Sequence, residues 1–171
     1  LLPRRHHRHV WKSVPSPLRE VALLEATSLD AKSIDDETSE GVMQLCRQHP
    51  SAGRHNPFSR LRYTRAAVRH PLNADFLNKV LLDMAVGQRD LAWTEWLRRN
   101  QENNVDHLER LEQRWRQDRE RNATDHLFAR WVSWTLTSTV RCLRDQATRA
   151  LYWYGMGTPQ TFFEMAVESL D

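Results

Sequence analysis

Hydrophobic positions recur along the chain at intervals of three and four residues, the spacing of one face of an α-helix. In residues 74–84 the apolar side chains fall at i, i+1, i+4, i+5 and i+8, and residues 137–151 repeat this periodicity. No segment sustains the alternation of period two that is typical of a β-strand. The pattern therefore predicts an all-α fold.

Start and stop signals divide the chain after residue 56 into seven helical segments. Asn56, followed by Pro57, and Asn73 have the chemistry of helix starts. We expect Thr124 to cap a later helix, and Gly87 to end the helix that begins after Asn73. Helices of this length joined by short loops pack as antiparallel neighbours.

Such neighbours form either a bundle or an α-solenoid. We expect antiparallel helical hairpins stacked as a short α-solenoid, with an irregular helical bundle as the alternative. No repeat of fixed period is visible in the sequence. Composition divides the chain into a basic linker or arm (1–15), an N-terminal helical segment (16–55) and a helical-repeat region (56–171).

The composition agrees with a folded protein that works inside the cell. Hydrophobic residues make up 40% of the 171 residues and charged residues 27%, which excludes a disordered chain. No apolar run approaches the ~20 residues of a membrane span, and we expect a cytoplasmic location without membrane contact. The chain does not begin with Met, so we interpret it as a piece of a larger protein. Cys46 and Cys142 are expected to be buried free thiols.

Motifs of catalysis are missing from the sequence. It has no GxSxG, no HExxH and no glycine-rich phosphate loop, so we expect no catalytic residue, no metal and no cofactor in this segment. His6, His7 and His9 lie in the arm, but adjacent histidines without Cys, Asp or Glu partners indicate a solvated basic arm rather than a metal site.

Two sets of residues are candidates for partner contact. Arg62, Arg65 and Arg69 share a helix face and could meet phosphates, although a net charge of +3 permits nucleic-acid binding without indicating it. Trp93 and Trp134 are the most ambiguous of the tryptophans, because Trp is favoured both in cores and at interfaces. Nucleic-acid binding is the less favoured of the two interpretations.

Arg-Asp dipeptides occur twice beside aromatic helices. Arg89 and Asp90 precede Trp93, and Arg144 and Asp145 follow Arg141. Arg141 and Asp145 are four residues apart, a spacing at which an ion pair along a helix is easy. We expect Arg89 with Asp90, and Arg141 or Arg144 with Asp145, to hold one helix against another through largely buried hydrogen bonds, rather than to form an active site.

Two long segments carry a resemblance to a known family. HPLNADFLNKVLLDMAVGQRDLAWTEWL (70–97) and WVSWTLTSTVRCLRDQATRALYWYG (131–155) resemble a region that follows the ATPase module in large bacterial STAND NTPases. The family pattern has HxxNAxxLH…RDxxW followed by LSWxLTSxNRxLRDxATKAL. Asn78, Val140 and Arg149 stand here where that pattern has His, Asn and Lys. The resemblance spans residues 56–171, and no Walker motif is present.

The resemblance implies a function for the parent protein. Many members of this family are antiviral defence ATPases of the Avs type, which sense a conserved phage protein through a C-terminal helical-repeat region and then activate an N-terminal effector. It implies that ATP and Mg belong to the parent, and that this segment is a non-catalytic sensor or scaffold whose partners are a phage protein and other domains of the chain. A basic helical nucleic-acid-binding adaptor is the alternative, and a self-contained enzyme is the third.

Overall fold

The computed structural model describes residues 16–26, 31–48 and 56–168. All regular structure in these ranges is helical, so the predicted all-α class is confirmed. The His-rich arm lies outside the described residues, and its interpretation stays a prediction.

Nine helices, numbered here in chain order, and a short 3-10 turn at Ala31–Ser33 make up the regular structure of the described residues. The helices are α1 (Ser16–Ala26), α2 (Asp36–Gln48), α3 (Pro57–Thr64), α4 (Ala74–Asp83), α5 (86–99), α6 (Gln101–Gln117), α7 (Ala123–Thr135), α8 (Arg141–Gly157) and α9 (Pro159–Glu168). Helix α5 consists of Val86–Arg89, a π-helical turn over Asp90–Thr94, and Glu95–Arg99. The seven segments expected after residue 56 are therefore present as α3 to α9.

Local capping chemistry explains where two of these helices begin. The Asn56 side chain accepts a hydrogen bond of 2.9 Å from the backbone N–H of Phe58, with Pro57 at the first helical position. The Asn73 side chain accepts from Asp75 N at 2.9 Å. Each bond satisfies an N–H that the first helical turn leaves without an acceptor. Both predicted starts are confirmed.

Two predicted boundaries are wrong. Helix α7 is capped by Asn122, not by Thr124, because Asn122 and Asp125 each accept a hydrogen bond from the other's backbone N–H. Helix α4 ends at Asp83 because Met84 is extended, with φ −83° and ψ 137°. Gly87 therefore lies inside the next helix.

The helices pack around one continuous hydrophobic core. Helix α8 contacts α6, α7 and α9, and α4 contacts α7. At the other end, α2 packs against α1, α3 and α4. The core thus joins helices that are two and three elements apart in the sequence.

Four aromatic side chains from three helices meet at the centre of this core. Trp93 and Trp96 of α5 stack with centroids 5.0 Å apart, and Phe58 of α3 and Trp131 of α7 each meet the Trp93 ring edge-on at 5.3 Å. Trp93 has no exposed surface, and its indole N–H donates to the carbonyl of Trp134 at 2.9 Å. The prediction that Trp93 contacts a partner is therefore wrong, because three other rings enclose it.

The cysteines differ in exposure. Cys46 is buried and Cys142 is exposed, so the expectation of two buried thiols is wrong for Cys142. Burial raises the pKa of the Cys46 thiol. None of the helices in 16–26, 31–48 and 56–168 combines the length and the apolar character needed to cross a membrane.

Candidate functional site

Arg144 anchors the loop between α7 and α8. Its side chain is half-buried, and Nη1 donates to the carbonyl of Ser138 at 2.7 Å. Ser138 is itself buried, and its hydroxyl accepts from the backbone N–H of Val140 at 3.1 Å. Arg144 therefore holds α8 to the loop that precedes it, not to a neighbouring helix through an ion pair.

Arg141 and Asp145 form a surface pair within one helix. Arg141 Nε lies 3.5 Å from Asp145 Oδ2, and the two side chains are 87% and 53% exposed. The expectation of a buried strut between helices is wrong for these two residues, because both point to solvent from the outer face of α8. Such a pair contributes at most about 0.5 kcal/mol.

Arg89 packs on an aromatic ring, whereas Asp90 is exposed. The Arg89 guanidinium lies 5.4 Å from the ring centroid of Trp134, and Nη1 donates to the carbonyl of Leu81 at 3.4 Å. Asp90 accepts from the hydroxyl of Thr94, one turn further along its own helix, at 3.5 Å. The predicted role of holding helices together is thus filled by Arg89 through a cation–π contact between α5 and α7, and not by Asp90.

Trp134 stands at the centre of a surface groove. It is half-buried, and its indole N–H donates to Asn78 Oδ1 of α4 at 2.9 Å. The groove has a volume of about 470 Å³. We name it the Trp134 groove and define it by six of its lining residues, Asn78, Leu82, Val86, Arg89, Trp134 and Leu136; the charged Asp90, Arg130 and Glu168 also line it. The prediction of Trp134 as a partner contact stays open.

The arginine stripe does not form one exposed face. Arg69 is exposed, but Arg65 is half-buried, so the expectation that both meet phosphates from one surface is wrong. Helix α3 ends at Thr64, and Arg65 turns toward α7, where its guanidinium lies 5.4 Å from the Phe128 ring centroid and 5.5 Å from that of Trp131. Arg62 is half-buried and lies over the exposed ring of Tyr63.

Arg65 also contacts a half-buried imidazole. Its Nη2 is 3.0 Å from His107 Nε2, and its Nη1 donates to the carbonyl of Arg62. Burial, reinforced by the charge of Arg65, lowers the pKa of His107 to about 3, so this imidazole is neutral and accepts the hydrogen bond. Burial also lowers the pKa of Arg65 to about 10, with the charges of Arg62 and Arg110 adding to the effect.

A buried carboxylate joins α6 to α7. Asp125, which is 1% exposed, accepts from the indole N–H of Trp115 at 2.8 Å and forms an ion pair with Arg114 at 3.0 Å. It also accepts from the backbone N–H of Asn122 at 3.1 Å. With donors from an indole, a guanidinium and the backbone, the charge of Asp125 is fully compensated. We interpret this cluster as structural.

A second cleft of about 340 Å³ lies beside α9. His126 Nδ1 is 2.6 Å from the hydroxyl of Tyr154 there, and burial raises the pKa of Tyr154 to about 12, which fits a hydroxyl that donates to the imidazole. Arg130 closes one end with ion pairs to Asp75 and Glu168. The cleft has a polar pair but no nucleophile activated by it among the residues that line it.

Three of these contacts could not be found by sequence reasoning. Asp125, His107 and Asn78 have partners that lie 10, 42 and 56 positions away along the chain. For Asp125 alone a local signal exists, since Asn122 and Asp125 have the spacing of a reciprocal helix cap. In the part of the chain that the structure describes, no group of three or more His, Cys, Asp or Glu side chains is placed to hold a metal ion.

Comparisons with known proteins add no relative to this picture. No family model, no curated protein and no solved structure matches the chain.

Proposed function

We propose that this chain is a non-catalytic interaction module, the sensor or scaffold segment of a larger cytoplasmic STAND-type antiviral defence ATPase. It would recognise a protein partner, such as a phage protein, or couple the sensor to the ATPase. The STAND assignment rests on the resemblance of residues 70–97 and 131–155 to the family pattern. The interaction role rests on the Trp134 groove.

The Trp134 groove has the composition of a protein-binding surface. Leu82, Val86 and Leu136 are 51%, 63% and 40% exposed around the half-buried Trp134, with Arg89 against its ring. Exposed apolar side chains gathered around a tryptophan and an arginine are typical of interface anchors, whereas single exposed apolar residues are not informative. A partner helix that binds here would lay its apolar face into the groove.

The residues of the two resembling segments support this surface. Arg89 packs on the Trp134 ring, Asn78 accepts its indole N–H, and Trp93 donates to its carbonyl. Arg144 fastens the loop that follows Trp134. These contacts hold Trp134 and the loop after it in place, as expected for residues that support a recognition surface. The charged residues among them have a positioning role rather than a catalytic one.

The contacts between helices bear on the proposed architecture. The packing of α6 on α8 and of α2 on α4 fits a stack of hairpins, because in such a stack a helix contacts the helix two elements later in the chain. The packing of α4 on α7 fits the irregular bundle better. We keep the short α-solenoid as the proposal, because the resemblance implies a helical-repeat region.

The first test uses the full-length parent protein. A parent without a P-loop ATPase domain would refute the STAND assignment at once. With such a parent, we expect individually purified phage proteins to include one that binds it and stimulates its ATPase activity.

The groove is then tested by substitution. We expect Leu82→Asp and Leu136→Asp in the parent to weaken that binding by about tenfold or more, because a buried unpaired carboxylate is costly. Leu91→Asp is the matched control, since Leu91 is 66% exposed on α5 and does not line the groove. Equal effects of the three substitutions would refute the groove as the binding surface.

The nucleic-acid alternative is tested by fluorescence polarisation with DNA and RNA over a salt series. Affinity that is absent at low salt, or that is unchanged at high salt, excludes binding dominated by phosphate contacts. The inward turn of Arg65 leaves a smaller basic surface than the sequence predicts, so this alternative is the weaker of the two.

A further inference from the structure

Arg65 is packed between helices, and the neighbours of its guanidinium are uncharged or positive. Its guanidinium contacts the Arg62 carbonyl, the neutral imidazole of His107 and the rings of Phe128 and Trp131. Its Nε–H is buried and has no acceptor among the described residues.

Two other arginines, Arg89 and Arg121, also lie against a ring or carbonyls, whereas four arginines between helices meet acids. They form the ion pairs Arg47–Asp83, Arg60–Glu25, Arg114–Asp125 and Arg130–Asp75. A partly buried charge without a counter-ion is costly, and cation–π contacts offset only part of that cost. The charge of Arg65 is therefore incompletely compensated in the structure.

Two further arginines add positive charge at the same place. Arg62 lies one turn before Arg65, and the exposed Arg110 lies one turn after His107 on α6. Both of them lower the pKa of Arg65 and of His107, so their charges are close enough to be felt by each group. Two helices and a turn thus bring three arginines within electrostatic range of one another.

We propose that Arg62, Arg65, Arg110 and His107 form a site for a single oxyanion, and that its ligand is a carboxylate side chain of an acidic protein segment. We name it the Arg65 site. Arg62 and Arg110 contact the carboxylate from the surface, and Arg65 beneath them supplies charge. His107 orients Arg65 by accepting its Nη2–H. Guanidinium groups match the geometry of carboxylates and bind them through two parallel hydrogen bonds.

The surroundings favour a carboxylate over a nucleic acid. Exposed acids, among them Glu102, Asp106 and Glu109, share α6 with Arg110, and they would repel a polyanion that follows the helix. Tyr63, which is 77% exposed beside Arg62, offers a peptide an aromatic surface to pack on. The assignment of the carboxylate to a protein partner rests on the proposed function. The affinity of the site for a carboxylate does not depend on that function.

The experiment uses the complete 171-residue chain and three fluorescent probes of equal length. They are a peptide of alternating Gln and Ala with a single central Glu, the same peptide with Gln for that Glu, and an oligothymidylate. We expect saturable binding of the Glu peptide, with at least about tenfold weaker binding of the Gln peptide and of the oligothymidylate. Binding of the Glu peptide shifts the His107 ring resonances in NMR spectra.

Substitutions at the surface separate the site from general attraction between charges. Arg62→Gln and Arg110→Gln each weaken Glu-peptide binding by about fivefold or more. Arg69→Gln removes the same charge from an exposed position outside the site, and it changes the affinity by less than about twofold. Arg65 is left intact in these variants, so a folding defect at Arg65 does not enter the comparison.

Three results would overturn the proposal. They are the absence of saturable Glu-peptide binding, tighter binding of the oligothymidylate, and an Arg69→Gln effect as large as that of Arg62→Gln. The peptide experiment tests the Arg65 site, and the experiment with the parent protein tests the sensor function. If the chain binds the peptide and the parent binds no phage protein, the Arg65 site is supported and the sensor function is refuted. If the parent binds a phage protein and the chain does not bind the peptide, only the Arg65 site is refuted.

Discussion

Asp125 and Arg65 are both charged groups that pack against α6 and α7, but their partners are of opposite kinds. Asp125 is 1% exposed and meets a guanidinium, an indole N–H and a backbone N–H. Arg65 is half-buried and meets a carbonyl, a neutral imidazole and two aromatic rings. One charge is neutralised within the protein and the other is not.

This difference separates structural charge from charge that is available to a ligand. A buried ion with a complete set of partners stabilises one arrangement of helices, and removing a partner is costly. A cation held by uncharged groups keeps most of its electrostatic potential and still attracts an anion. Burial alone therefore does not identify which of the two sites binds a partner.

The largest effect is expected for Asp125→Ala. It leaves the buried indole N–H of Trp115 without an acceptor and removes half of the reciprocal cap of α7, so we expect a loss of about 3–4 kcal/mol in the free energy of unfolding. Urea denaturation measures it. Asp106→Ala removes an exposed acid of α6 and should stay within about 0.5 kcal/mol. Similar losses for the two variants would contradict the structural role of Asp125.

A smaller effect is expected from the pH dependence of His107. Its pKa is about 3 in the folded protein, against an ordinary value of 6.5. Below pH 6.5 the unfolded chain takes up a proton that the folded protein does not accept until about pH 3. The free energy of unfolding therefore falls as the pH falls, by about 3 kcal/mol from this residue between pH 6.5 and 4.

This pH dependence is measured as the difference between the protein and its His107→Gln variant, unfolded by urea at pH 7, 5.5 and 4. Glutamine keeps an acceptor for Arg65 but does not titrate, so the other titrating groups cancel in the difference. Parallel curves for the two proteins would show that His107 is not held neutral by burial beside Arg65.

Arg65→Met is expected to cost about 1 kcal/mol, much less than Asp125→Ala. Methionine keeps an unbranched side chain between Phe128 and Trp131 and removes the cost of burying a charge, while the cation–π contacts and the bond to His107 are lost. Arg65→Ala, which also removes the packing, should cost more. Thermal or urea unfolding compares the two. A loss for Arg65→Met that equals that of Asp125→Ala would remove the distinction between the sites.

The smallest effect is expected at the surface of α8. A double-mutant cycle with Arg141→Ala and Asp145→Ala should give a coupling of about 0.2–0.5 kcal/mol, because both side chains are largely solvated. Arg144→Ala should cost about 1 kcal/mol by itself, because it removes the hydrogen bond to the Ser138 carbonyl. A larger coupling between Arg141 and Asp145 would show that exposed pairs also hold these helices in place.

Sequence reasoning succeeded where the chemistry is local. The caps Asn56 and Asn73 act on backbone N–H groups two residues away, so their role is visible in a few letters of sequence. It failed at α7, where Asn122 and Thr124 are both capping residue types. The spacing of Asn122 and Asp125, which is that of a reciprocal helix cap, is the local signal that decides between them.

The candidate site was predicted less well, because its contacts join residues that are distant in the sequence. A helical periodicity places Arg62, Arg65 and Arg69 on one side, but it does not show that Arg65 packs against Phe128 and Trp131, more than sixty residues further on. It also does not separate an enclosed tryptophan such as Trp93 from the half-buried Trp134. The short α-solenoid and the antiviral role stay predictions.

The π-helical turn in α5 has a consequence for changes in chain length. Over Asp90–Thr94 the helix holds one residue more than a regular α-helical turn, while Trp96 and Leu97 after it remain buried. Deleting one residue there converts the turn to a regular one and keeps both side chains facing the core. A deletion in the middle of α6 instead rotates every later position by about 100°. The π turn is thus a place where the described fold tolerates a shorter chain.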